Sequence, residues 1–197
     1  MIEIIPKNSR YIPMTQQRWC CVPTCILMIM YRHGISLITQ EELGWYLGLI
    51  MPKEETKNYW NARTGPRPPA GYGTQIFKKE FYPDVAFKKL KIPLKMVFHP
   101  VDEYKDTKDL EEYLKSIEKD DKDVAVCFDY GKLHDHRYVG GHICLIDRAD
   151  LQKGEVRLVD PLYEVPKWRT DKISKIFEAM KYHGSKNMGG IWEFIKQ

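Results

Sequence analysis

The sequence predicts an α+β fold, with helices gathered in the first part of the chain and an antiparallel sheet in the second. Three observations carry that expectation. Long apolar stretches at helical spacing dominate the first 120 residues. Short strand-like runs then follow one another at small intervals. No regular alternation of strand and helix runs through the chain, so a parallel β/α architecture is disfavoured.

Residues 1–15 read as extended, carrying Ile2, Ile4 and Ile5 and then Tyr11-Ile12-Pro13. A first helix is expected from about Pro23 to His33. Proline suits the first turn because its missing N–H has no partner there, and Gly34 is a common stop signal. The run Ile26-Leu27-Met28-Ile29-Met30 has no polar face, so this helix should be buried. Thr39-Gln40-Glu41-Glu42 has the capping-box form and should start a second helix running to about Leu49.

Met51 to Gly73, rich in Pro and Gly, reads as a long loop and is a candidate border for a substrate cleft. Thr74 is placed to cap a helix through Phe77 and Phe81. Leu94–Phe98 alternates as a strand, and Thr107–Lys119 sets Leu110, Tyr113, Leu114 and Ile117 on one helical face. Strands follow at Val124–Phe128, His142–Ile146 and Glu155–Val159, with a turn at Gln152-Lys153-Gly154. A helix over about Asp171–Tyr182 and a strand over Gly189–Phe194 complete the chain. The expected organisation is a single domain over residues 1–197, with a helical lobe over about 15–120 and a sheet lobe over about 121–197.

With 31 basic and 27 acidic residues the chain carries a net charge of +4. Both signs are interspersed, as in Lys105-Asp106-Thr107-Lys108-Asp109. That pattern suits a solvated surface and not a nucleic-acid footprint. Five cysteines, an odd number without a C-x-x-C pair, argue against a disulfide framework and for a reducing compartment. The N-terminal residues lack the features of a signal peptide. The longest apolar run, Cys20–Tyr31, falls short of the roughly 20 residues that span a bilayer. The expectation is a soluble cytoplasmic protein with no membrane segment.

A cysteine at the junction between the irregular segment Gln16–Trp19 and a buried helix meets unpaired N–H groups and the positive end of the helix dipole, which favour the thiolate. A second and a third polar group come from a hairpin. Gly140-Gly141-His142 opens one strand and Asp160-Pro161 closes the next. With the turn at Gln152–Gly154, His142 falls opposite a residue between about 160 and 164, at most a diagonal step or two from Asp160. In one parity of the register the two side chains share a face; in the other they do not. A carboxylate beside an imidazole fixes its tautomer and leaves the other ring nitrogen for a nucleophile. Gly140 and Gly141 would let the backbone approach a substrate closely.

Glutamine shortly before Cys-x-Pro-Thr, Gly-Gly-His opening a strand and Val-Asp-Pro closing the next together resemble the papain-like cysteine peptidases. The set is most similar to the branch that cleaves bacteriocin leader peptides after a double glycine, and to its free-standing relatives. The resemblance spans roughly residues 10–182. It implies a helical lobe packed on an antiparallel sheet, an active site in the cleft between them, and a peptide or protein substrate.

Carried over by position, Cys21 is the nucleophile, because Pro23-Thr24 follows it as in that branch. His142 is the general base and acid, and Asp160 orients it. Gln16, with Gln17 as the alternative, supplies an amide to the oxyanion. Two departures stand out: Val22 replaces the usual glycine and would narrow the oxyanion site, and Cys20 is a competing thiol. The tail after Trp168 resembles the family's aromatic-plus-helix segment and reads as packing.

No cofactor is implied. His134 and His136 have the spacing of a metal-ligand pair on a strand, yet they fall in an expected loop with no second ligand cluster at a recognisable spacing, so no metal site is assigned. The activity implied is hydrolysis of a peptide or isopeptide bond through a thioester. Acyl transfer by the same triad and a catalytically silent peptide-binding module are the alternatives.

Overall fold

Seven consecutive buried residues, Asp123–Asp129 (β2), explain the architecture: a strand buried on both faces must lie inside a sheet that is covered on both sides. The computed structural model describes residues 6, 8–52, 54–55, 72–135 and 140–197. The expected strand character of residues 1–5, most of the Met51–Gly73 loop, Trp60 and His136 lie outside the described residues.

Among the described residues, β2 is joined by β1 (Leu94–Pro100), β3 (Gly141–Asp150), β4 (Glu155–Val159), β5 (Trp168–Lys172) and β6 (Gly190–Lys196). The sheet order is β1-β6-β2-β3-β4-β5, and every neighbouring pair is antiparallel. The fold is therefore α+β. β1, from within the stretch assigned to the helical lobe, pairs along its whole length with the final strand, Leu94 opposite Lys196 and Pro100 opposite Gly190.

Six α-helices surround this sheet among the described residues. They are α1 (Cys21–Arg32), α2 (Gln40–Tyr46), α3 (Pro83–Leu90), α4 (Thr107–Lys119), α5 (Tyr130–His134) and α6 (Ile173–His183). On one face Cys25, Ile26, Met28 and Ile29 of α1 and Ala86 and Phe87 of α3 pack with Ala125, Ile143, Leu145 and Trp192. On the other, Leu110, Leu114 and Ile117 of α4 and Ile176, Phe177 and Met180 of α6 pack with Val124, Val126, Phe128 and Cys144. α1 is buried from Val22 to Met30, as its lack of a polar face requires. Thr39 caps α2 as expected, its hydroxyl accepting the Glu42 N–H at 3.0 Å.

Three expectations are corrected. Thr74 caps no helix. Phe77 is exposed and only a 3-10 turn forms at Lys79–Phe81, while the true helix, α3, begins at Pro83 and ends on left-handed Lys91. Asp171 belongs to β5, so the last helix starts at Ile173. Tyr130–His134, within the expected loop, is a short helix whose Asp129 cap accepts the Lys132 N–H at 2.8 Å.

Two polar ties hold the helical face in place. At the far end of α1, buried Asp123 accepts from Tyr11 Oη at 2.8 Å and Arg32 Nη1 at 2.6 Å, and lies 2.5 Å from His33 Nε2. The second tie sits on a β-bulge. Leu145 pairs with Val159 and Ile146 with Leu158, but Arg148 pairs with Arg157, leaving Asp147 as an extra residue. Its fully buried carboxylate accepts from the Arg10 N–H at 2.6 Å and Arg157 Nε at 2.6 Å, with Ser9 Oγ at 3.2 Å.

Asp147→Ala leaves the partly buried Arg157 and the Arg10 N–H without that acceptor. We expect a loss of about 3 kcal/mol, the scale for breaking a buried ion pair, read as a lower urea midpoint. The slope of the transition should be unchanged.

Candidate active site

The N-terminus of α1, the start of β3 and the end of β4 meet at one end of the sheet. Cys20, immediately before the helix, is fully buried, and its carbonyl accepts the Thr24 N–H at 3.0 Å and the Thr24 hydroxyl at 2.6 Å. Cys21 is the first helical residue and is only partly buried. Trp19, just ahead, has left-handed backbone (φ 65), a conformation that turns the chain sharply into the helix. Its indole donates to Glu55 at 2.7 Å and its ring lies 4.6 Å from that of Tyr72.

His142 is buried at the mouth of β3. Its Nε2 lies 2.8 Å from Asp160 Oδ1, and Cys21 is among the neighbours that favour the protonated ring. With Nε2 facing the carboxylate, Nδ1 is the nitrogen left for sulfur. The two other thiols along this path are interior: Cys25 Sγ sits 3.5 Å from the Ile143 carbonyl and Cys144 is fully buried. Burial pushes the thiols of Cys25, Cys127 and Cys144 up.

Burial works against charge on His142, but the Asp160 carboxylate and its hydrogen bond outweigh it and raise the imidazole to about 9. Burial likewise opposes charge on Asp160. Even so, His142, the Leu162 N–H at 2.9 Å and Arg169 hold it down to about 2. The pair is ionised over the whole range between.

The bulge at Asp147 decides that these groups meet. In the register beyond it, set by Leu145 opposite Val159, His142 lies across from Leu162 and shares a face with Asp160. Had the Arg148–Arg157 register continued unbroken, His142 would lie across from Tyr163 and Asp160 would point to the other face.

Gln16 is 8% exposed and its amide oxygen has no hydrogen-bond partner among the described residues, whereas Gln17 is exposed. The Gln16 N–H donates to the Pro161 carbonyl at 2.8 Å, which ties this residue to the one following Asp160. Val22, expected to narrow the oxyanion site, is buried and belongs to the core cluster around α1. Gly141 has a different reason than backbone approach to a substrate: a Cβ there would lie 2.5 Å from Cε1 of His183 on α6.

His142, Cys144 and Asp160 place ligand-capable atoms within 4.8 Å of one another. The carboxylate is already engaged on both oxygens and His142 Nε2 faces it, so a cation would have to break those bonds. His134, read from the sequence beside His136, has its Nδ1 2.6 Å from Arg169 Nη2.

Sequence reasoning missed Arg169 and the aromatic wall of the site. The Tyr130 and Phe128 rings meet the imidazole edge-on at 5.4 and 5.9 Å. The alternation of Arg169 and Asp171 was the available signal for a strand there.

No protein-family model matches the sequence, and neither does any curated protein. Among solved structures, the chain superposes on the crystal structure of a "putative C39-like peptidase" from Bacillus anthracis. The TM-score is 0.57 at 16% identity, over 100% of this chain and 99% of that one. This chain has the C39-like peptidase fold. The C39-like fold accounts for the arrangement expected from the papain-like resemblance, helices packed on an antiparallel sheet. No helix among the described residues is long and apolar enough to cross a membrane.

Because His183 fills the space beside Gly141, Gly141→Ala should cost about 1 kcal/mol, the low end for overpacking, since an imidazole can turn aside. Thermal melts of Gly141→Ala, His183→Ala and the double variant should show the double losing less than the sum of the singles.

Proposed function

We propose that the protein is a cysteine peptidase-like hydrolase that cleaves a peptide or isopeptide bond through a Cys21–His142–Asp160 triad. The supporting observation is a buried imidazole with Asp160 at 2.8 Å on one nitrogen and Cys21 among the groups that favour its charged form. The C39-like fold adds support at the level of architecture.

In this reading the proton shared by the pair rests on His142, and the Cys21 sulfur attacks the substrate carbonyl carbon. Negative charge moves onto the carbonyl oxygen. The first N–H groups of α1, which have no intrahelical partner, and the side-chain amide N–H of Gln16 stabilise it. The tetrahedral species collapses as its C–N bond breaks, and His142 gives its proton to the leaving amine, leaving a thioester on Cys21. His142 then removes a proton from water, whose oxygen attacks the thioester. The C–S bond breaks, the acid departs, and the sulfur is left beside a protonated His142 as at the start. An amine replacing that water would make the product an amide, the acyl-transfer variant of the same chemistry.

A peptide would enter past Trp19 and Tyr72, stacked at 4.6 Å, and past exposed Tyr163, which interacts with Arg18. Such aromatic faces suit an extended chain with apolar side chains.

Iodoacetamide labelling with peptide mapping at mildly acidic pH tests the assignment. Cys21 should be modified far ahead of buried Cys20, Cys25, Cys127 and Cys144. Slow and even labelling of all five would leave only a peptide-binding domain of this fold. Cys21→Ala should abolish cleavage of a mixed peptide library that the parent protein cleaves.

The imidazolium held up to about 9 sets a second expectation. Hydrolysis should fall as pH rises through about 9, where His142 loses the proton it gives to the leaving amine, while labelling of Cys21, which needs only the sulfur, should not. Asp160→Asn removes the charge that raises His142, so the fall should begin at lower pH. The rate should drop about 10²–10⁴-fold, the range for losing general acid–base function.

A further inference from the structure

We propose that Arg169 is a positioning residue acting through Asp160: its guanidinium holds the second carboxylate oxygen, and its charge limits how tightly that carboxylate keeps the proton on His142. This inference rests on the triad reading above and extends it to a residue outside the triad.

Asp160 uses its two oxygens differently. Oδ1 faces His142 Nε2 at 2.8 Å and accepts the Leu162 N–H at 2.9 Å, while Oδ2 faces Arg169 Nη1 at 3.3 Å. The backbone reinforces the split, because the Asp160 N–H donates to the Lys167 carbonyl at 2.8 Å, drawing the segment that leads into β5 against it. Arg169 lies within β5, opposite Leu158, so a paired strand carries the guanidinium to the carboxylate.

The guanidinium is itself held. Its Nη2 lies 2.6 Å from His134 Nδ1, and the Tyr130 ring lies 6.0 Å from its central carbon. Arginine has only donors, so His134 Nδ1 must be the acceptor and its proton must sit on Nε2. His134 is therefore neutral, in keeping with burial and the Arg169 charge, which push it down to about 4. The short helix α5 thus contributes an uncharged acceptor that fixes a cation without cancelling it.

The charges that reach His142 can be counted element by element. α1 brings the Cys21 thiol, the segment after β4 brings Asp160, and β5 brings Arg169 through it. α5 brings Tyr130 and neutral His134, β2 brings the uncharged Phe128 ring, and β3 itself brings buried Cys144. At the Gly141 end stand Asp129 and His183 of α6.

Asp160 is the anion that retains the imidazole proton, and Arg169 is the cation opposing it. A general acid that bound its proton with nothing to temper the carboxylate would release it reluctantly to a leaving amine. The cation lessens that hold, while two hydrogen bonds on Oδ1 keep the carboxylate in place.

The test is the pH profile of cleavage of the mixed peptide library by the full chain, for the parent, Arg169→Gln and Arg169→Lys; its high-pH fall reads the proton that His142 gives to the leaving amine. In Arg169→Gln the high-pH fall should move up by about one pH unit, the scale of removing a nearby charge. In Arg169→Lys, which keeps the charge, it should stay with the parent. A purely structural role would lower the folded fraction without moving that limb. A limb in Arg169→Gln that stays put or moves down overturns the inference.

Should Arg169→Gln fail to fold, His134→Ala keeps the cation and frees only Nη2. It should leave the limb in place while slowing cleavage, and a displaced limb there also overturns the inference. The two readings fail separately. A parent protein without selective Cys21 labelling ends the triad reading. Selective labelling in the parent with no upward shift in Arg169→Gln ends this one alone.

Discussion

One inserted residue governs whether His142 and Asp160 can meet. Asp147 shifts the β3–β4 register by a single step, and side chains in a strand alternate faces, so that step decides whether His142 and Asp160 look at each other or away. A buried carboxylate is a costly way to make a bulge unless it is fully bonded, and this one is bonded from two directions. The Arg10 backbone and Ser9 approach from the N-terminal segment, while Arg157 approaches from the partner strand. Asn8 extends the tie by accepting from Arg148 and Arg157. A stretch ahead of α1 thereby secures the geometry of a hairpin more than a hundred positions later.

The same logic applies to the sulfur. α1 presents Cys21 at one end and is pinned to the sheet at the other, where Tyr11, Arg32 and His33 converge on Asp123. Between these ends the helix is buried from Val22 to Met30. A rod packed this tightly transmits position, so the thiol is located by core packing and by a polar knot at the opposite end of the helix. The sheet is equally constrained, because its second face is filled by α4 and α6. Neither partner of the Cys21–His142 contact depends on a loop for its placement.

Much of this was legible in the residues and some was not, for physical reasons. α1 announced itself through an unbroken apolar run, and α2 through Thr39, whose hydroxyl caps it. The central strands were legible because both faces are buried and leave little polar interruption. α3 was hidden by a decoy: Thr74 and Phe77 imitate a cap and a core contact, yet Phe77 faces solvent. β5, with the sequence Trp-Arg-Thr-Asp-Lys, is an edge strand whose polar residues resemble the first turn of the helix after it. In the site, a tight turn constrains His142 and Asp160 to neighbouring positions, but the turn does not reveal a bulge. The parity that matters stayed open until the pairing was seen. Arg169 was invisible for the same reason as its strand.

The five cysteines show how position divides identical groups. Cys20 and Cys21 are adjacent, but the first caps a turn with its carbonyl and faces the interior, while the second reaches His142. Cys25 lies one helical turn further along and points at the Ile143 carbonyl of the same strand that carries His142. Cys127 and Cys144 belong to the two central strands and face opposite cores. For Cys25, Cys127 and Cys144 ionisation would place an anion in buried surroundings, which pushes these thiols up and keeps them protonated. Cys21, by contrast, stands at the end of the sheet where His142 is held by Asp160. What distinguishes it is thus the hairpin register that brings His142 and Asp160 together, and not its own neighbours in sequence.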